Sequence, residues 1–434
     1  MSTSALSLEQ APPISVPLRF FLTAPLFGLL AAGVLATAGP AALTSRWHPA
    51  VLAATHLITL GVLALCMIGA LLQMLPVVAG AVLRRPVGTA WLLHPPLVIG
   101  TLLLAAGFAW GRTDIALAAL PLLAWSLLAL AVLGLAALGA APVRNATTRG
   151  MRMALAALAV TVSLGLLAAW HYAGHGTLAL PVLADVHLSW GLLGWVGLLV
   201  IGVAYQVVPM FQMTPPYPPW LARVLDAAIL LGLCALSVGR LWDAPAAQTL
   251  ALPVLLAGFL SFALATLHLQ QKRRRRQADV TLRFWRVAMA SLLAAALATV
   301  LAWLLPAWDQ AAVRPLFVGM LWIMGFALSA VNGMLYKIVP FLVWLHLQSR
   351  HPPRGSTPNM KQVIADAPAR RQALSHEVAL LLLAAAPFVP ALFYPALAAS
   401  ALSFLLLGRN ILAAWRCYLD FDRRITRWEQ AASP

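Results

Sequence analysis

Apolar stretches of about 20 residues, each nearly free of charge, follow one another along this chain, and no other feature narrows its fold so far. Twelve can be drawn, at 18–38, 50–80, 88–110, 114–140, 151–172, 180–211, 221–241, 246–270, 281–305, 313–347, 374–393 and 395–418. A helix of that length satisfies its own backbone hydrogen bonds while it crosses hydrocarbon. The pattern therefore predicts an all-α integral membrane protein with twelve transmembrane helices. Composition agrees: 62% of the residues are hydrophobic and only 9% are charged, where a soluble domain carries about 25% charge. A lipid bilayer is the expected partner.

Charge sets the expected orientation, because Lys and Arg are retained on the cytoplasmic side. With the N-terminus inside, only Arg46, Arg112, Arg240 and Arg314 of the 29 Lys and Arg fall in outer loops. The expectation is a bacterial inner membrane with both termini cytoplasmic, as short tails at 1–17 and 419–434. The net charge of +17 and the run KRRRR at Lys272–Arg276 read as a topological anchor beside anionic lipid, and no nucleic-acid partner is expected. Cys66, Cys234 and Cys417 have no CxxC spacing and read as small core residues.

One string recurs. GALLQMLP at Gly69–Pro76, GVAYQVVP at Gly202–Pro209 and GMLYKIVP at Gly333–Pro340 place their prolines 133 and 131 residues apart. A period near 130 residues over twelve helices implies three pseudo-symmetric four-helix units, at about 18–140, 151–270 and 281–418, within one membrane domain. The string falls near the inner end of the second helix of each unit, where Gly and Pro suit close packing and a kink.

This arrangement resembles the catalytic subunit of the haem-copper oxidase superfamily, which includes the nitric oxide reductases and cbb3-type oxidases. THLITLGVLALCMIGALLQMLPVVAG at Thr55–Gly80 looks like its second helix and VHLSWGLLGWVGLLVIGVAYQVVP at Val186–Pro209 like its sixth. The resemblance implies twelve helices in three arcs, and it carries the role of an axial ligand of haem b onto His56. In size and helix number the chain also resembles the haem- and copper-containing NnrS family, although it has no HEM motif.

Depth sorts the ten histidines. His94, His268, His346, His351 and His376 fall at inner ends or in inner loops, where interfacial solvation accounts for them. His56 and His187 lie 20 and 22 residues before their prolines, roughly 30 Å from the inner layer at 1.5 Å per residue. An imidazole inside a span is costly and points to function; the bland alternative is a ring bonded to a backbone carbonyl or to a serine. In the third repeat the matching position is Met320, with Met324 one turn on, and His187 or Met320 could complete coordination of a haem.

Copper is the other cofactor to consider, with His187, His171, His175 and Met324 as donors and the thioethers favouring Cu(I). His171 and His175 stand at i and i+4 in WHYAGHG. The oxidase pattern fails on the tenth helix, which lacks paired histidines, and the acids read as lying near helix ends or in loops. A proton-pumping terminal oxidase is therefore not expected. The functions left are electron transfer to a redox protein or quinone, haem or copper handling, or a nitric oxide response. A polytopic transporter and a noncatalytic assembly subunit are the alternatives. Lys337, near the inner end of its helix, is expected to snorkel to the interface.

Overall fold

The computed structural model describes residues 10–274, 277–309, 313–350 and 357–432. Its long helices are α1 Ser15–Ala38, α2 Pro49–Ala79, α3 Pro86–Ala109, α4 Thr113–Ala140, α5 Ala146–Tyr172, α6 Leu180–Gln212, α7 Pro219–Leu241, α8 Pro245–Gln271, α9 Val280–Leu304, α10 Arg314–Gln348, α11 Asp366–Ala385 and α12 Phe393–Ala432. Among the described residues there is no strand, and eleven helices are long and apolar enough to cross a membrane. The protein is an all-helical, multi-pass membrane protein.

The exception is α11. The sequence places a span at 374–393, but the helix occupies Asp366–Ala385 and takes in Asp366, Arg370, Arg371 and Glu377, too much charge for the hydropathy of a crossing helix. Residues from Ala386 form a turn and a short 3-10 segment, Pro390–Leu392, before α12 begins. At its other end α12 runs on into the segment 419–434, as a helix, to Ala432.

Three helices sit inside the rest. The apolar windows of α2, α6 and α10 are 94%, 72% and 61% buried, whereas those of the other spans are 28–44% buried. Around them α3 pairs with α4, α7 with α8 and α11 with α12, while the contacts α4–α5, α8–α9 and α12–α1 close a ring. Exposed tryptophans mark both rims of this bundle: Trp110, Trp170, Trp242 and Trp303 at one end, Trp91, Trp220 and Trp428 at the other. That is the distribution of side chains that prefer a membrane–water boundary.

Each inner helix contains a π-helical stretch: Thr59–Ala64 in α2, Trp190–Leu198 in α6 and Leu321–Leu328 in α10. Such wide turns are rare and concentrate at functional sites. A glycine lies in each stretch, Gly61, Gly194 and Gly325, and each stands 15 residues before its proline. Added Cβ atoms would meet the Phe27 ring on α1, Ala157 Cβ on α5 at 3.0 Å and Ser291 Oγ on α9 at 2.5 Å. The glycines of the recurrent string make the same contacts lower down: Gly69 against Phe21 on α1 (2.9 Å), Gly202 against Gly150 Cα on α5 (2.9 Å) and Gly333 against Phe284 on α9 (2.9 Å). Small residues let neighbouring backbones approach in lipid, where no hydrophobic force draws helices together.

The end that holds both termini is laced with ion pairs. Arg149 on α5 donates to both carboxylate oxygens of Asp226 on α7 at 2.9 Å, and Asp226 is fully buried. Arg283 on α9 pairs with Glu377 on α11, and Arg350 binds Asp422 (2.5 Å) and Glu429 on the extension of α12. The paired acids lie toward this end of the bundle, each met by a cation from another part of the chain. Lys337 does not simply snorkel; its ammonium donates to Asp279 at 2.8 Å, while the same aspartate caps α9 through Leu282 N.

Candidate functional site

The opposite end of the bundle holds a cavity of about 730 Å³, lined by residues of α1 to α12 and centred on the outer halves of the inner helices. Each inner helix begins with a proline in its first turn, Pro49, Pro181 or Pro315, where the missing N–H costs nothing and the fixed φ suits a helix. On α2 the preceding His48 also caps the helix, its Nδ1 accepting from Ala50 N at 3.2 Å. The ligand candidates follow within two turns, immediately ahead of the π-helical stretches.

His56 and His187 both face this cavity, their rings within 14° of parallel and their centroids 6.5 Å apart. They are held differently. His56 Nδ1 pairs with Leu52 O of its own helix at 2.8 Å, and His187 Nδ1 with Thr161 O of α5 at 3.0 Å. In each case the carbonyl requires an N–H at Nδ1 and leaves Nε2, with no protein hydrogen-bond partner, as the lone-pair donor. Phe108 packs on His56 with centroids 5.2 Å apart, and Tyr172 meets Phe108 edge-on.

Met320 and Met324 of α10 line the same cavity. His171 and His175 do not. His171 Nδ1 is bonded to Leu167 O at 2.9 Å, and the exposed His175 lies against Trp170 with ring centroids 4.5 Å apart. Among the described residues no group of three or more His, Cys, Asp or Glu side chains could hold a metal ion. Two imidazoles, two thioethers and an apolar wall are what the cavity offers to a cofactor.

Charge collects at its rim. Arg46 donates to Asp185 at 2.6 Å, Arg240 stands 3.7 Å from the other oxygen of the same carboxylate, and Arg314 also lines the cavity. Two guanidinium groups thus share one carboxylate above a largely apolar interior. From the sequence these arginines are expected in outer loops, with nothing in their spacing that joins them to the histidines. Arg240 and Arg314 lie at helix ends, and Arg46 lies in the turn before α2.

The histidines assigned to interfacial solvation divide. His268 is exposed, and His351 lies outside the described residues. His94 Nε2 pairs with Thr23 Oγ1 at 3.0 Å, and His346 Nε2 with Pro12 O at 2.9 Å. His376 is buried, its Nε2 2.8 Å from Ser329 Oγ, and Ser329 Oγ lies 3.3 Å from Met324 O in the π-helical stretch of α10. A protein group meets at least one ring nitrogen of each of these three histidines. No known family profile matches the chain, and no curated protein matches it.

Proposed function

We propose that the chain is a haem-binding membrane protein on a scaffold like that of the haem-copper oxidases, with His56 and His187 as the two iron ligands. One observation carries this reading: two near-parallel imidazoles from two inner helices line one largely apolar cavity side by side, each bonded to a carbonyl at Nδ1 and without a protein partner at Nε2. His56 and His187 would hold the iron, since the two near-parallel rings stand with centroids 6.5 Å apart at one site. A carbonyl on the remote nitrogen is the usual way a ligating histidine is oriented and made a better donor. The residues present therefore fit the group.

In this reading the twelve helices form three four-helix units related by the recurrent glycines and prolines. All twelve cross a bacterial inner membrane with both termini in the cytoplasm, and α11 is carried by its ion pair and its packing on α12. Bound haem supplies one-electron chemistry at iron. The protein would hold the iron at its two imidazoles, exclude water with the Leu, Ala and Phe wall, and present the Arg46–Asp185–Arg240 cluster at the rim. The role would be electron transfer with a redox protein or quinone, haem handling, or a response to nitric oxide. Met320 and Met324 in the same cavity support copper as a second reading, since soft thioethers beside imidazole favour Cu(I).

An absorption spectrum and metal analysis of protein purified from cells supplied with haem and copper test both readings. A Soret band that disappears in His56→Ala supports haem. Copper at stoichiometric level without a Soret band supports the second reading, and colourless, metal-free protein overturns both.

A further inference from the structure

We propose that Gly165 is a positioning residue for His187, whose bare Cα seats the imidazole against α5 and thereby selects Nε2 as the atom presented to the cavity. The inference rests on the haem reading for its consequence but on local geometry for its content. A Cβ built on Gly165 would stand 2.8 Å from His187 Cε1, 3.2 Å from Nδ1 and 3.6 Å from Nε2. An added Cβ would thus meet the Nδ1–Cε1–Nε2 side of the ring, Cε1 first. One helical turn earlier on α5, Thr161 O receives the Nδ1–H at 3.0 Å. Seat and acceptor are thus adjacent on one face of α5, and both residues line the cavity.

His56 has no such arrangement. Its acceptor, Leu52 O, lies four residues earlier on its own helix, so its orientation survives any change on a neighbouring helix. The orientation of His187 depends on a helix that the chain reaches 26 residues away. Nothing in α6 itself would hold the ring against α5 if the space at Gly165 were filled.

The atoms that an added methyl would meet belong to a side chain and not to a backbone. Relief is available by swinging the ring into the cavity, so the fold tolerates the change while the ring moves. Restoring ordinary contact requires a shift on the order of 0.5 Å, the tolerance within which ligating groups must be held. A shift of that size directed away from α5 would also lengthen the 3.0 Å Nδ1–Thr161 bond to about 3.5 Å, the outer limit of a hydrogen bond, and weaken it. With that bond weakened, the proton is free to move to Nε2, which removes the lone pair from the metal-facing nitrogen.

Two measurements on the purified full-length protein test this. In ferrous protein carrying haem, wild type should be low-spin and slow to bind carbon monoxide. Gly165→Ala should behave as His187→Ala does, retaining haem through His56 but binding carbon monoxide at least tenfold faster, with an unchanged melting temperature. A Gly165→Ala protein whose haem remains low-spin and as inert as wild type overturns the proposal.

Nitrogen-15 spectra of the haem-free, histidine-labelled protein, with the His187 signal identified by its loss in His187→Gln, give a readout that needs no cofactor. The wild-type ring should be in the Nδ1–H form and the Gly165→Ala ring should shift to the Nε2–H form; an unshifted tautomer overturns the proposal. If wild type binds no haem, the haem reading fails alone, and the tautomer still decides the role of Gly165.

Discussion

The two ends of the bundle use polar side chains in opposite ways. At the end that holds the termini, charges are paired across helices: Arg149 with Asp226, Arg283 with Glu377, Lys337 with Asp279 and Arg350 with Asp422 and Glu429. At the far end, His56 and His187 each keep one ring nitrogen without a protein partner and turn it toward a cavity. Polar groups are too costly in a membrane to be left open without a use. The paired end therefore reads as structure and the open end as the place of function. The division is not complete, since the buried Gln73 amide has no partner at either atom at the paired end.

If that contrast holds, stability should fall steeply for changes at the paired end and hardly at all for changes in the cavity. The largest loss is expected for Arg149→Ala, which strands a fully buried Asp226 carboxylate and should cost about 3–5 kcal/mol. The double variant Arg149→Met, Asp226→Leu should recover most of it, as measured by thermal unfolding in detergent. A single variant as stable as wild type would show that the pair contributes little.

Gly202→Val comes next. Its Cβ would meet the backbone of Gly150 at 2.9 Å, where no side chain can yield, and overpacking of this kind costs about 1–3 kcal/mol. Gly69→Ala, whose nearest neighbour is the Phe21 ring, should cost less in the same assay. Ser329→Ala removes the hydroxyl that links His376 to the π-helical stretch of α10 and should cost about 1 kcal/mol. Smallest is His56→Ala, expected to lower the stability of the haem-free protein less than Gly202→Val does, because one side of the ring borders the cavity, with Phe108 and His187 the rings stacked near it. A melting temperature lowered as far as in Gly202→Val would make His56 a packing residue and erase the contrast.

Much of this architecture is legible in the sequence. The apolar runs locate the helices, and the recurrent string ending at Pro76, Pro209 and Pro340 marks the three that become the inner ones. Counting back from those prolines reaches His56, His187 and Met320, all three of which line the cavity. Such counting works because a helix converts residue number directly into depth.

What stayed hidden depends on contacts between helices. The charge on α11 obscures a helix that begins at Asp366, since Glu377 becomes tolerable only beside Arg283. His376 looks like an interfacial residue until Ser329 of α10 is seen beside it. Arg46, Asp185 and Arg240 lie far apart in the chain and meet only at the rim. The wide turns of the inner helices have no signature in composition, although a glycine 15 residues before each proline was visible to a search for it.

Those wide turns make the inner helices two helices in different phase, coupled end to end. A π turn takes up an extra residue, and one residue of an α-helix corresponds to about 100° of rotation about the axis. The glycines at 69, 202 and 333 anchor the lower segment to its outer neighbour, while the segment bearing His56, His187 or Met320 is set by the turn between them. Deleting one residue from Thr59–Ala64 would leave the anchored segment where it is and turn the imidazole of His56 about a quarter of the way round, out of the cavity and into a neighbouring helix. The direction in which this ligand points is thus encoded by the length of a turn rather than by the identity of any residue in it.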